Sequence, residues 1–99
     1  MKLTVSAEAT KDLESISDWI SKDNPVRARS FVRELLQSCS KILEYPHGHP
    51  IVGRFKADQV RRKVFGSYLI FYMIIEQTVE ITHIMHGSRD YEAVIFPDE

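Results

Sequence analysis

The segment from Val60 to Tyr91 limits the possible folds more than any other part of the chain. It holds VRRKVF, GSYLIFYMII and VEITHIMHGSRDY, stretches rich in β-branched and aromatic residues that suit strands. The first two meet at Gly66-Ser67, and glycine at the first position of a two-residue connection is what a type II′ hairpin requires. Three strands are expected, at about 60 to 65, 68 to 76 and 79 to 86, forming an antiparallel meander.

The turn sets a register. Phe65 should oppose Tyr68, Lys63 should oppose Ile70, and Arg61 should oppose Tyr72, all on one face because opposed residues share a side. The other face receives Val60, Arg62, Val64, Leu69, Phe71, Met73 and Ile75. This second set is the more apolar and is expected to pack under helices. The cations and tyrosines of the first set are expected on the uncovered face or its rim. In the third strand Val79 and Ile81 share one parity and Ile84 has the other, so a bulge is expected near Thr82 or His83. The face taken by His83 stays open. Gly87 ends the strand, and Ser88 to Phe96 reads as a short helical turn or an extended arm.

Upstream, Lys2 to Val5 reads as a short strand that hands over to a helix at Ser6, a good N-cap, with Glu8 in the first turn. Ala9, Leu13, Ile16 and Ile20 recur at helical spacing and define one apolar face. Asp23-Asn24-Pro25 breaks this helix and starts another, since Asn caps well and Pro suits the first helical position. The second helix carries a wider stripe: Ala28, Phe31, Val32, Leu35, Cys39, Ile42 and Leu43. Two prolines and a glycine within Tyr45 to Pro50 end it. The expected class is α+β: a short N-terminal strand, an antiparallel two-helix hairpin, and a three-stranded meander with the helices on one face.

At 99 residues the chain has material for one core, so a single domain over 1–99 is expected. A net charge of −1 argues against a protein that works mainly by gripping nucleic-acid backbone. Within that balance, Arg54, Lys56, Arg61, Arg62 and Lys63 form a local cationic run against Asp58. A single cysteine, Cys39, rules out an internal disulfide and fits a reducing compartment. No apolar run approaches the roughly 20 residues of a membrane span, and the amino terminus lacks a signal-peptide core, so a soluble cytoplasmic protein with no membrane partner is expected.

No cofactor or metal is expected. His47 and His49 lie two apart in a loop, His83 and His86 three apart at a strand end, and neither pair has a cysteine or carboxylate at ligand spacing. There is no nucleophile elbow or phosphate-binding glycine loop, and Cys39 falls on an apolar stripe. What remains is a cationic and aromatic group: Arg61, Lys63, Tyr68, Tyr72, His86, Arg89 and Tyr91, with Arg54 and Lys56 before it. It reads either as a solvated face, with its arginines paired to Glu80, Asp90 or Glu92, or as a recognition surface. Arg, His and Tyr together could also serve phosphodiester cleavage.

The order of elements and several motifs resemble the ParE/RelE superfamily of toxins from bacterial toxin–antitoxin modules. These motifs are A-x-x-D-L-x-x-I-x-x-W-I over 9 to 20, N-P-x-x-A over 24 to 28, Tyr45-Pro46 with Gly48, Arg61-Arg62, Gly66-x-Tyr68-x-Ile70-x-Tyr72, and His86-Gly87-x-Arg89-Asp90. The resemblance spans nearly the whole chain and implies a toxin that forms a hetero-oligomer with a cognate antitoxin. The ending HGSRD resembles the ParE branch, which implies DNA gyrase as the target. In that reading no residue is catalytic, and Arg54, Arg61, Arg62, Tyr72, Arg89 and Trp19 are expected to contact target or antitoxin. The alternative is a RelE-like nuclease acting on ribosome-bound mRNA, with Arg61, Lys63, His86, Arg89 and Tyr91 as its catalytic set. A second alternative is a non-toxic binding remnant of the family.

Overall fold

The computed structural model describes residues 1–53 and 59–96. Arg54, Lys56 and Asp58, part of the cationic run noted above, lie outside the described residues. The chain begins with β1 (Lys2–Val5), then α1 (Ala7–Ser21) and α2 (Pro25–Lys41), the latter running on into a 3-10 turn at Ile42–Glu44. The meander follows as β2 (Arg61–Phe65), β3 (Tyr68–Ile75) and β4 (Thr78–His86), and a short α3 (Tyr91–Ile95) comes last. The sheet order is β1-β4-β3-β2, with β1 parallel to β4 and the meander pairs antiparallel.

Local chemistry accounts for the element boundaries. Ser6 caps α1, its Oγ accepting from the Ala9 amide at 3.0 Å while the same hydroxyl donates to the Thr82 carbonyl. Asn24 caps α2 by accepting from the Arg27 amide at 3.0 Å, with Pro25 in the first turn. Gly66 turns the first hairpin at φ 57°, and the register is the expected one: Arg61 with Tyr72, Lys63 with Ile70, Phe65 with Tyr68. The second hairpin turns at Glu76 and Gln77, both with positive φ, the type I′ geometry built without glycine.

The bulge falls where the parity break places it. Phe71 pairs with His83 and Tyr72 with Ile81, so Thr82 is the extra residue, and its hydroxyl donates to the Phe71 carbonyl. That one residue returns Ile84 to the side of Val79 and Ile81, and all three are buried in one core with Ala9, Phe31, Leu35, Cys39, Ile42, Ile70 and Tyr72.

The two sheet faces are the reverse of the sequence-based expectation. The helices cover the face of Arg61, Lys63, Phe65, Tyr68, Ile70 and Tyr72. The face of Leu69, Phe71, Met73 and Met85 is closed instead by Val52, Val60, Tyr91, Ile95 and Phe96. Counting apolar residues favoured the wrong side because the long cationic and phenolic side chains bury their stems and turn only their polar tips toward partners. The second face needed no helix hairpin. Phe96 closes over Gly53, whose φ of 100° suits glycine and where an added Cβ would stand 2.7 Å from the ring.

Candidate functional site

The expected site residues divide among three places. The first is a clamp beneath the end of α2. A helix leaves its last carbonyls without intrahelical donors, and cationic side chains are the natural partners there. Lys63 Nζ donates to the Ser38 carbonyl at 2.7 Å, Arg61 donates to the His47 and His49 carbonyls at 3.1 and 2.7 Å, and the Tyr72 hydroxyl donates to the Pro46 carbonyl at 2.6 Å. Tyr72 has no exposed surface. Burial holds the Lys63 ammonium below its ordinary range, with Lys41 acting the same way while Cys39 and Glu44 oppose. Burial also raises the Tyr72 phenol, against the pull of Arg61. His49, edge-on to Tyr72 at 6.1 Å, is lowered by burial and then by Lys63 and Arg61. These groups tie the Tyr45 to Pro50 turn to the sheet. Arg61, Lys63 and Tyr72 therefore do not form the uncovered face expected of them.

The second place lies on the opposite side of the sheet. Arg62 extends from β2 toward α3, its guanidinium 3.4 Å from the Tyr91 hydroxyl, and the Tyr91 ring packs on Phe71 at 4.9 Å. Arg62 acts with the cover that closes the second core. Cys39 sits fully buried in the first core, where burial pushes its thiol up to about 11, with Lys63 opposing. A thiol so raised stays protonated at neutral pH and is no nucleophile.

The third place is a cleft of about 330 Å³ between α1 and the end of β4, lined by Asp12, Ile16, Trp19, Ile84, His86 and Arg89 among others. Its shape follows from a mismatch of lengths. β4 has nine residues, but β1 pairs only with Thr78 to Ile81 before the chain turns at Ser6 into α1. The rest of the β4 edge is left to side chains: Ser6 Oγ donates to Thr82, and the Asp12 carboxylate accepts from the Ile84 amide at 2.9 Å. The same Asp12 oxygen lies 3.3 Å from His83 Nδ1, which settles where His83 points. Trp19 is 69% exposed, among the described residues the most solvent-facing large apolar side chain after Tyr45. The Lys22 ammonium stands 5.4 Å from the indole, and a second hollow of about 380 Å³ opens on the far side of Trp19 beside Lys22 and Asp23. At the strand end His86 Nδ1 accepts from the Ser88 amide and lies 2.7 Å from its hydroxyl, and Tyr68 stands edge-on to the imidazole.

Of the residues expected at a site, this cleft gathers Trp19, Tyr68, His86 and Arg89, and it adds Asp12 and Ile16 among others. Those two carried a readable signal. Asp12 and Trp19 stand four residues before and three after Ile16 of the apolar stripe, so they share its edge along α1. The five groups of a nuclease reading do not converge: Arg61 and Lys63 hold carbonyls under the helices, Tyr91 lies on the second face, and His86 and Arg89 line the cleft. Among the described residues no cluster of three or more His, Cys, Asp or Glu side chains gathers, and no helix is long and apolar enough to cross a membrane.

No curated protein matches the chain. Solved structures do. The chromosomal ParDE TA system from P. aeruginosa superposes with a TM-score of 0.75 at 16% identity, over 87% of this chain and 95% of that one, a likeness that establishes the fold. The family model described as "ParE toxin of type II toxin-antitoxin system, parDE" matches residues 3–91, which takes in all of β1 but Lys2, the helix hairpin, the whole meander and both Trp19 and Arg89. The chain belongs to the ParE family of type II toxin–antitoxin toxins.

Proposed function

We propose that this chain arrests growth by binding a protein target, DNA gyrase, and that a cognate antitoxin neutralises it by occupying the cleft between α1 and β4. The observation that carries the reading is the scatter of its cationic and phenolic groups. A phosphodiester-cleaving site needs its acid, base and charge-stabilising groups within reach of one scissile bond. Here Arg61 and Lys63 are already engaged with the carbonyls of Ser38, His47 and His49, and Tyr91 lies across the sheet from them. A net charge of −1 also suits a protein target better than a ribosome-bound RNA. What remains exposed is an aromatic anchor flanked by cations, Trp19 with Arg89 and Lys22, of the composition that anchors protein interfaces.

The test uses the antitoxin-free protein with purified gyrase. Inhibited supercoiling and accumulated cleaved DNA are expected, and no effect at saturating toxin would sink the gyrase target. In parallel, a translating extract distinguishes the nuclease: message cut on the ribosome, with cutting lost in Arg89→Ala, would replace this reading. Unimpaired growth on expression without antitoxin, with folded protein present, would mark the chain as a non-toxic remnant.

A further inference from the structure

We propose that the outer face of α2 grips the phosphate backbone of the DNA that gyrase holds, through Arg29 and Arg33. The inference rests on the gyrase reading above and adds a second ligand to it, on a face that lines no part of the cleft. It starts from the charges of the helix hairpin. α1 carries four acids, Glu8, Asp12, Glu14 and Asp18, against Lys11, whereas α2 carries four cations, Arg27, Arg29, Arg33 and Lys41, against Glu34. The net charge of −1 conceals this division. Other cations are engaged within the chain: Arg61 and Lys63 at the clamp, Arg62 at Tyr91, Lys22 at the indole, and Arg27 at Glu34, 2.7 Å away. Arg29 and Arg33 make no ion pair and no side-chain hydrogen bond among the described residues.

Both arginines are exposed and stand one turn apart, and the row continues through Gln37 to Ser40 on the side of α2 opposite its buried Ala28, Phe31, Leu35 and Cys39. Like charges at that spacing repel and weaken the helix, and an anion laid between them removes the repulsion. The one acid of α2 is already taken. Arg27 holds Glu34, its hydrogen bond being the first cause of the lowered carboxyl, and Arg33 adds only a smaller pull from beyond ion-pair distance. Glu14 and Asp18 of α1 lie beside Val32 at the hairpin seam and, among the described residues, close no ion pair to Arg29. From Arg29 to Ser40 the row is about 16 Å long, roughly five phosphate steps along one DNA strand. Arg, Gln and Ser are side chains that bind phosphate oxygens, and such contacts ignore base sequence. The row holds no aromatic side chain of the kind that anchors protein interfaces, which favours DNA over an acidic protein surface. The acids of α1 fix the approach, because a duplex lying along α2 is repelled from α1. Two phosphate contacts are too few to hold DNA alone, so the face acts once gyrase has bound the chain and raised the local concentration of DNA.

The experiment measures gyrase-cleaved DNA against toxin concentration at salt from about 50 to about 200 mM, a range over which phosphate contacts weaken strongly. It compares the antitoxin-free parent with Arg29→Gln/Arg33→Gln, a change that keeps helix propensity. The logarithm of the half-maximal toxin concentration should rise with the logarithm of salt more steeply for the parent, by about 1 to 2 in slope, since each lost phosphate contact removes about 0.9. Arg29→Lys/Arg33→Lys should keep the parent's slope, and so should Lys11→Gln, which removes an exposed cation of α1. Urea midpoints matching the parent's show that the variants are folded. Equal slopes for the parent and Arg29→Gln/Arg33→Gln overturn the DNA contact and leave the gyrase reading standing. A loss seen equally in binding to DNA-free gyrase would assign the face to an acidic protein surface and overturn DNA as its ligand. A parent that leaves gyrase unaffected at saturation overturns the gyrase reading, and this inference falls with it.

Discussion

The clamp under α2 and the cleft beside α1 are built from the same kinds of side chain and have opposite fates. Arg61, Lys63 and Tyr72 pair with aromatic and cationic neighbours on one sheet face, as Trp19, Lys22, His86 and Arg89 do at the cleft. The difference is what lies opposite them. The end of α2 and the turn after it present carbonyls that need donors, and the clamp residues spend their polar tips there. The hollow shared by Trp19, His86 and Arg89 is walled by the side of α1 and the end of β4 and offers no such row of carbonyls, and Trp19 stays 69% exposed. A cluster of cations and aromatic rings is thus a surface only when the fold has given its polar groups nothing to hold.

If that contrast is right, the largest effects belong to the clamp. Tyr72→Ala removes a fully buried ring from the core and is expected to cost about 3 to 5 kcal/mol. Tyr72→Phe keeps the packing and leaves the Pro46 carbonyl without its donor, at a cost of about 1 to 3 kcal/mol. Urea unfolding of the two variants separates packing from the hydrogen bond. A Tyr72→Phe chain as stable as the parent would show that the turn is not held through this phenol.

A pH titration probes how dry the clamp's floor is. Burial raises Cys39 from 9.0 to about 11. Because the folded pKa is the higher one, its contribution is complete below about pH 9 and is lost as pH climbs through about 11. Two pKa units correspond to about 2.7 kcal/mol at full loss. Tyr72, also raised, acts in the same direction, while Lys63, lowered by burial, gains stability toward high pH. Comparing parent and Cys39→Ala isolates the thiol: the parent's urea midpoint should fall more steeply above about pH 9. Equal slopes would mean that water reaches the thiol.

The reversal of the two faces shows what could be read from the chain and what could not. Ser6, Asn24-Pro25 and Gly66 mark boundaries through chemistry that acts within a few residues, and each lies where the sequence places it. The bulge at Thr82 was legible because Ile84 breaks the parity of Val79 and Ile81. The choice of covered face depends on contacts more than twenty residues apart, such as Lys63 with Ser38 and Tyr72 with Pro46. Nothing local to β2 announces that a helix end will arrive above it. The turn at Glu76-Gln77 was hidden for another reason, since neither residue favours the positive φ it adopts. Trp19 and Arg89 were legible as candidates, but the uncovered edge between them arises from β1 being shorter than β4.

A smaller effect sharpens the contrast among the arginines. Arg61→Ala strips donors from two loop carbonyls, one of them part-buried, and should cost about 1 to 2 kcal/mol. Arg89→Ala removes an exposed cation and should stay within about 0.5 kcal/mol. Thermal unfolding at one pH compares them directly. Equal losses would break the division between clamp and cleft, because the two arginines would then serve the fold alike.

The smallest stability change is expected for the largest side chain of the cleft. Trp19→Ala removes an indole that is 69% exposed and whose ring meets the Lys22 ammonium at 5.4 Å. An exposed cation–π contact is worth about 0.5 to 1 kcal/mol, and the helix propensity gained with alanine offsets part of it. The urea midpoint should therefore hardly move. An indole left in water at no benefit to the fold is free to meet a partner. If Trp19→Ala instead destabilised the protein as much as Tyr72→Phe, the indole would be part of the core's rim, and the cleft would lose its anchor. If stability holds while antitoxin affinity falls, the side chain is an anchor by the same measure that makes Tyr72 a structural one.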